Sequence, residues 1–452
     1  MKIKLTLILS VILSINSAQS QETQPVPTQE QYANALLSAL GRDAARFQQA
    51  VRALSAYCGT EEFFFIGLGG NCDRLFFAAS QGNGDAVKKV LRKLRPREVV
   101  QQSRTSTQII ATQQANVAAR MAQVRSGATN SLAGLNISAG GNNLSLDMLS
   151  YLAENNENSS DSNYDQLMTP WGFFINGQIT SGDYSYSDDN TEGFDFDTNG
   201  VTMGVDYRVN SQSVVGLALG YADFDSTVNI GATLQSKALT FSAYGSYNVN
   251  DNLYVDARAS YAKPDFDQAR SIDFSLNGTD TNQNVIGSTN GTQQSFILSS
   301  GYQFNKRNWQ FTPFVSAEFY KSQIDAFVET GASSFNVGYS EQNFETSRFT
   351  AGFQASNAIS LSKGVLIPSL GYTFIHENQN GDEFVLMRVS GMPAGEFFES
   401  PTQFNDGDYS SLNLGLTFVA SNGKQFYMQY SEAFGWEGFD KYNFSLGARF
   451  EF

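Results

Sequence analysis

Histidine, cysteine and proline are scarce in this 452-residue chain: His 1, Cys 2 and Pro 9. With one histidine, His376, any hydrolase of the serine or cysteine triad type must use that residue as its base. The neighbouring Glu377 and Asn378 supply no nucleophile, so His376 reads more simply as a rim residue at the top of a strand. No G-x-S-x-G elbow occurs, and no glycine-serine lipase block lies near the mature N-terminus. Gly67-Leu-Gly-Gly70 lacks the spacing of a phosphate-cradling loop and reads as a turn. The two cysteines, Cys58 and Cys72, would pair in an oxidising compartment and close a small loop. A metal site built on them, with no histidine nearby, is the weaker alternative. Positive charge is also in deficit: Lys+Arg 29 against Asp+Glu 44 leaves a net charge of −15, which argues against a nucleic-acid partner.

A long hydrophobic run is missing as well. The apolar stretch from Leu5 to Ile15 is too short for a membrane helix, which needs about 20 residues. Led by Met1-Lys-Ile-Lys4 and followed by the small residues Ala18 and Ser20, it reads as a secretory signal peptide over residues 1–20. Mean hydropathy is −0.28. Such a chain can still live in a membrane, because a closed barrel needs only every second residue to face lipid.

What is present fits that possibility: Gly 39, Tyr 20 and Phe 36 suit tight strand bends and interfacial aromatic girdles. The final stretch alternates Tyr442, Phe444, Leu446, Ala448, Phe450 and Phe452 with Asn443, Ser445, Gly447, Arg449 and Glu451. That is a strand with lipid outside and water inside. The same period of two predicts strands near 171–180, 196–207, 213–222, 237–247, 253–262, 293–304, 309–320, 346–358, 365–376, 409–419, 425–431 and 442–452, about twelve. Long connections (181–195, 223–236, 263–292, 321–345, 377–408, 432–441) alternate with short ones, as in bacterial outer-membrane barrels. The fold class expected is therefore mainly β: an antiparallel transmembrane barrel of about twelve strands over residues 169–452.

Ahead of the barrel, residues 21–104 carry apolar residues at helical spacing (Tyr32, Leu36, Leu40; Val51, Leu54; Val87, Val90, Leu91, Leu94) and many basic ones, which predicts a small helical module. A further helix is expected over residues 105–125, followed by a Ser/Asn/Gly-rich linker over 126–168. That helix is polar, small-sided and free of aromatics, a poor core element that suits a water-lined lumen. If Val205, Tyr207, Val255 and Ala257 face lipid, then Asp206, Arg208, Asp256 and Arg258 point inward, as do Arg449 and Glu451. Charges of both signs could there satisfy one another and a helix carrying Arg120 and Arg125; a wide open channel is the second reading. Acidic residues crowd two long connections (Asp183, Asp188, Asp189, Glu192, Asp195 and Asp197; Glu377, Asp382, Glu383, Glu396, Glu399, Asp406 and Asp408). They could gather Ca²⁺ or Mg²⁺, but without EF-hand spacing a solvated loop surface is the plainer expectation.

Several stretches together are similar to one family. Trp171-Gly-Phe-Phe-Ile-Asn-Gly177, Gly193 to Arg208, Val215-Gly-Leu-Ala-Leu-Gly-Tyr221, Tyr254-Val-Asp-Ala257, Phe311-Thr-Pro-Phe314, Gly331-Ala-Ser-Ser334, Leu366-Ile-Pro368 with His376-Glu377, and Gly447-Ala-Arg-Phe-Glu-Phe452 resemble the translocator domain of bacterial autotransporters (type V secretion). The resemblance implies a helix in the lumen, where Val117 to Arg125 matches the usual form, and an N-terminal passenger carried to the cell surface. It implies that Phe450 and Phe452 act as the signal read by the barrel-assembly machinery. The passenger here is tiny and shows no β-helix repeat, and the helix has no paired asparagines, so neither a large adhesin or protease cargo nor self-cleavage is supported. The expected partners are outer-membrane lipid, lipopolysaccharide, the assembly machinery and periplasmic chaperones, for a monomeric barrel without cofactor, metal or catalytic residue. Adhesion through the acidic loops is the alternative function.

Overall fold

The computed structural model describes residues 25–94, 98–125, 137–139, 142–144, 170–185, 193–228, 231–382, 384–392, 397–401, 407–420, 424–436 and 438–451. Alternation of small or polar with large apolar residues builds the wall. Its strands are β1 (Trp171–Tyr184), β2 (Phe194–Arg208), β3 (Ser213–Val228), β4 (Thr233–Asn248), β5 (Leu253–Leu276) and β6 (Thr279–Tyr302), then β7 (Trp309–Ile324), β8 (Gln342–Asn357), β9 (Gly364–Gly381), β10 (Gly407–Ala420), β11 (Gln425–Phe434) and β12 (Phe439–Glu451). Each pairs antiparallel with its sequence neighbour, and β12 returns to β1 in the register Phe450↔Phe173, Phe444↔Ile179, Phe439↔Tyr184, closing a twelve-stranded barrel. Closure leaves no unpaired edge, which lipid would not tolerate.

Side chains sort by parity along each strand. On β2, Val201, Met203, Val205 and Tyr207 are exposed on the outer wall, while Thr198, Thr202 and Asp206 are buried inside. Large exposed residues such as Leu217, Phe241, Phe296, Leu298 and Leu414 continue the outer band around the barrel. Trp171, Tyr207, Tyr247, Tyr302 and Trp309 are exposed near the end where the short turns lie; Trp171 and Tyr207 are 4.8 Å apart there. An apolar band edged by aromatics is what a lipid-facing barrel wall requires.

The connections depart from the expectation in one instructive way. The stretch 263–292 is not a loop: β5 and β6 each run 24 residues and meet in a two-residue turn at Asn277 and Gly278, whose φ angles are 51° and 77°. Asn-Gly in that conformation is the preferred turn of a tight hairpin. The other long connections are likewise shortened by strands that continue past the apolar band. The connections after β7 and β9 add Phe327–Val328, Val337–Tyr339, Phe384–Val389 and Phe398–Pro401, which form a four-stranded sheet of their own over the loop end.

Helices α1 (Gln29–Leu40), α2 (Ala44–Cys58), α3 (Cys72–Ser80) and α4 (Gly84–Leu94) form the N-terminal module. Thr28 caps α1 in a reciprocal capping box with Gln31, satisfying two first-turn donors. Gly67–Gly70 forms a tight bend, with Leu68 and Gly69 in left-handed conformation. Cys58 and Cys72 are joined as a disulfide between α2 and α3, with Cα atoms 5.2 Å apart, wholly inside the module.

The module does not own its core. Tyr32, Leu36, Phe47, Leu54, Leu75, Val87 and Leu91 belong to one continuous buried cluster with Ile272, Phe274 and Leu276 of β5 and Phe335, Val337, Val385 and Met387 of the loop-end sheet. Helix α5 (Glu98–Arg125) then runs down the lumen, beginning at Glu98 rather than at Thr105 as expected. Within the linker, Ile137–Ala139 pairs with Asn142–Leu144 as a short hairpin. The Cys58–Cys72 bridge closes a loop of 14 residues, for which the entropic model gives about 3 kcal/mol. Replacing both cysteines by alanine should therefore lower the stability of the module by about that amount. Urea titration followed by proteolysis of the α1–α4 region, with the barrel intact throughout, measures it.

Candidate functional site

The lumen is the place where the inward-facing polar residues meet. Inward Ser, Thr, Asn and Gln side chains line it because the strands alternate, and α5 fills one side because its own residues are small and polar. The helix lies against β1 to β5, and glycines on that wall make room for it. A Cβ at Gly200 would come within 2.7 Å of Thr112 Cγ2, and one at Gly220 would collide with the Gln113 side chain. Ile109 packs among Tyr184, Phe194, Phe196 and Phe224 toward the loop end, and Val117 and Met121 against Phe174 and Tyr244 toward the turn end.

Polar bonds fix its register. Asn176 Nδ2 donates to the Asn116 carbonyl (2.8 Å), Arg258 Nη1 to the Gln114 carbonyl (2.9 Å) and Gln293 Nε2 to the Ser106 carbonyl (3.0 Å). Helix side chains reply: Asn116 Nδ2 donates to Thr202 Oγ1 (3.0 Å) and Gln114 Nε2 to Ser295 Oγ (2.9 Å). Lys441 Nζ of β12 donates to Gln108 Oε1 (2.6 Å).

The strongest tie is Arg120 to Asp206. Arg120 is completely buried and donates through Nε to Asp206 Oδ2 at 2.7 Å, with Nη2 on the same oxygen. Tyr244 OH adds a 3.4 Å bond to that carboxylate, and the guanidinium lies 5.5 Å from the centre of the Phe174 ring. Of the other residues predicted from sequence, Asp256 accepts from Ser246 Oγ (2.7 Å), and Arg258 and Arg449 are buried on the inner face. Arg208 is half-buried at the turn end of β2. Arg125, Phe450 and Glu451 lie on described backbone but their side chains fall outside the described residues, as does Phe452 altogether.

Opposite the helix stays a cavity of about 430 Å³, between Ala111, Ala115 and Ala118 and the hydroxyls of Thr312, Ser316 and Thr350. Toward its loop end, Arg348 pairs with Glu377 at 2.7 Å and Glu318 at 3.4 Å, and Tyr409 OH donates to Glu377 (3.2 Å). Sequence reading left this cluster out, although the same parity rule applied to β7, β8 and β9 turns Glu318, Arg348 and Glu377 inward. Glu377 had been counted with the acidic loops instead.

Above the lumen a second buried pair holds the loop end together. Arg270 of β5 meets Glu329 through Nε (2.8 Å) and Nη2 (2.6 Å), while Val337 N and Tyr339 OH donate to the same carboxylate at 2.8 Å each. Arg270 Nη1 also donates to the Lys93 carbonyl at the end of α4 (2.6 Å), and Lys93 Nζ binds Asp273 (2.7 Å). Barrel, loop-end sheet and module therefore converge on one arginine.

The remaining acidic residues do not converge. Asp382 accepts from Asn343 N and Glu399 from Gln49 of α2. Asp188, Asp189, Glu192, Glu383, Glu396 and Asp406 lie outside the described residues, and among the described residues no group of three or more potential ligands could hold a metal. His376 sits on the outer wall with Asp408, its Nδ1 2.7 Å from Asp408 Oδ1, and both are exposed.

Residues 173–431 match the family model described as Autotransporter beta-domain. The chain belongs to that family. Outer membrane protein A of Rickettsia conorii is 25% identical over 252 residues, 52% of this chain and 12% of that protein. Esterase EstA of Pseudomonas aeruginosa is 25% identical over 240 residues, 51% of this chain and 35% of that protein. The chain thus spans well under half the length of these relatives. The translocator domain of autotransporter NalP from Neisseria meningitidis has the same fold, with a TM-score of 0.50 at 17% identity over 68% of this chain and 94% of that one. An outer-membrane autotransporter β-barrel is what these findings establish.

Breaking the deepest pair should be costly. Arg120→Leu leaves Asp206 buried and uncompensated and should cost about 3–5 kcal/mol, whereas Arg120→Leu with Asp206→Leu should recover most of that. The heat-induced mobility shift of the folded barrel on gels, read as a midpoint temperature for each variant, checks both. Two lysines at the module's seat, Lys93 before Lys89, hold the Asp273 carboxyl below its usual range. A depressed carboxylate stabilises docking above its unfolded pKa of about 3.9 and loses that contribution as pH falls through the lower folded value. Protease sensitivity of the module should therefore rise on acidification below about pH 4, and Asp273→Asn should remove that part of the pH dependence.

Proposed function

We propose that this protein is a self-displaying outer-membrane barrel: it carries its own α1–α4 module to the cell surface through the lumen and then keeps it there, uncleaved, as a cap. The observation that carries this reading is the buried core shared by the module, the β5–β6 ribbon and the loop-end sheet. A passenger meant for release has no use for a core completed by its carrier. Continuity of α5 from the module down to the turn end is what an export route through the pore would leave behind. The family and the short turns collecting at the end where β1 begins and β12 finishes support an orientation with the long connections outside.

In this reading the chain is monomeric and has no catalytic role, and its partners are outer-membrane lipid and lipopolysaccharide, the barrel-assembly machinery and periplasmic chaperones. His376 bonds Asp408 on the exposed outer wall, away from the lumen. Adhesion through acidic loops has less support, because the strands Phe384–Val389 and Phe398–Pro401 lie beneath the module and Glu399 is occupied by Gln49.

Protease shaving of intact cells tests display. An epitope inserted at Gly82-Asn83, in the turn between α3 and α4, should be lost from whole cells while the barrel persists. Retention of the epitope under conditions that cut other surface proteins would overturn the reading.

A further inference from the structure

The lipid-facing wall is indented near the turn end. Four outward positions there are small: Ala243 and Gly245 of β4 stand directly opposite Ala259 and Ala257 of β5. Large exposed residues flank this block on both neighbouring strands, Val215 and Leu217 on β3 and Phe296 and Leu298 on β6. Phe241 closes it toward the loop end and Tyr247 toward the turn end. The result is an apolar depression of about 570 Å³ that reaches as far as the rim aromatics Trp171 and Tyr207. That volume lies within the range of about 300–1,000 Å³ usual for small-molecule sites. Packing inside the protein does not account for the gap. Gly204 and Gly216 point inward and make room for the rings of Phe174 and Tyr244. Gly245 points outward, and a Cβ there would meet nothing nearer than 3.5 Å, so the wall would accept a side chain that it does not carry.

We infer that this depression is a binding site for an acyl chain of a membrane phospholipid, held from the leaflet at the turn end with its headgroup level with Trp171 and Tyr207. The choice of lipid rests on the reading above that the long connections face outward, since the outward leaflet carries lipopolysaccharide and the other one phospholipid. What covers the depression follows from its surroundings: it is continuous with the apolar band that faces hydrocarbon all round the barrel. Lipid tails are as apolar as the wall, so the attraction is one of shape and dispersion rather than of exclusion from water. A gap left open at that surface forfeits those contacts, and a flexible chain recovers them by lying in it. A second barrel fits less well, because two convex walls touch along their ridges and cannot reach a recess between strands. The lining is apolar throughout its outward side chains, so the site selects a chain and leaves the headgroup at the aromatic rim, where amphipathic rings suit it.

The test uses the full chain extracted in mild detergent from outer membranes, where phospholipid and lipopolysaccharide are both present, and native mass spectrometry reads the lipid retained on each protein. Expected is a phospholipid adduct on the parent. Gly245→Leu with Ala257→Leu fills the depression, and the adduct should fall about tenfold or more, the loss of about 1.4 kcal/mol of packing. Ala317→Leu with Ala351→Leu adds the same kind of bulk to the outer wall at β7 and β8, opposite Leu298 and Val315, and should retain lipid as the parent does. Heat-shifted mobility on gels shows that each variant is folded. No adduct on the parent, an unchanged adduct in the filled variant, or equal loss in the β7–β8 variant would overturn the proposal. So would lipopolysaccharide in place of phospholipid, or a dimer of the chain that filling abolishes. Shaving results bear on display alone, so the two readings fail separately.

Discussion

Twelve strands enclose a lumen wider than their own inward side chains can fill, and the rest of this structure answers that excess of space. A water-filled hole would leave a leak, and an apolar plug could not satisfy the Ser, Thr, Asn and Gln that line the wall. A helix of small and polar residues does both things. Its bulk is set by glycines on the facing strands, and its register is fixed by carbonyls and amides bonded across the gap. The fully buried Arg120–Asp206 pair makes one register far better than its neighbours, since sliding the helix by a turn would leave two charges uncompensated at depth. Burial of that kind contributes less to stability than to specificity of register.

The helix in turn fixes the position of the module. Once α5 is seated, α4 ends at Arg270, and the apolar faces of α1 to α4 meet the apolar faces of β5 and the loop-end sheet. Neither side has enough buried surface to be complete without the other. Arg270 and Glu329 supply a polar core to that junction in which the carboxylate accepts from a backbone amide, a tyrosine and a guanidinium. A buried polar network of this kind is costly to leave partly satisfied, which favours full docking.

The wall of the barrel was legible because its code is simple. Period two places Asp206, Asp256, Arg258 and Arg449 inside and Val205, Tyr207 and Ala257 outside, and the structure arranges them so. The helix was legible from what it lacks, aromatics and a wide apolar stripe. What sequence reading missed lies beyond the membrane, where the same alternation continues without a lipid-facing band to mark it. The outward residues of β5 there are Asp265, Asp267, Ser271 and Asp273, which look like loop, while Ile272 and Phe274 turn inward beneath the module and Phe266 packs on Leu234, Ile324 and Phe344. Asn277-Gly278 was the available sign that 263–292 is a ribbon. The shared core was not legible at all, because a helical module and a strand extension each show an apolar face but never say that they belong to each other.

The central claim is that the helix resides in the lumen, where Gln114 Nε2 donates to Ser260 Oγ of β5 as well as to Ser295, and cross-linking in the native membrane tests it most directly. Cysteines placed at Gln114 and Ser260, with Cys58 and Cys72 replaced by alanine, should be joined by a bifunctional maleimide of about 10 Å reach, since a glutamine-length contact is longer than a direct disulfide spans, and the product should shift gel mobility in isolated membranes. Failure to cross-link, with both cysteines free to react with a maleimide in the folded protein, would contradict the account.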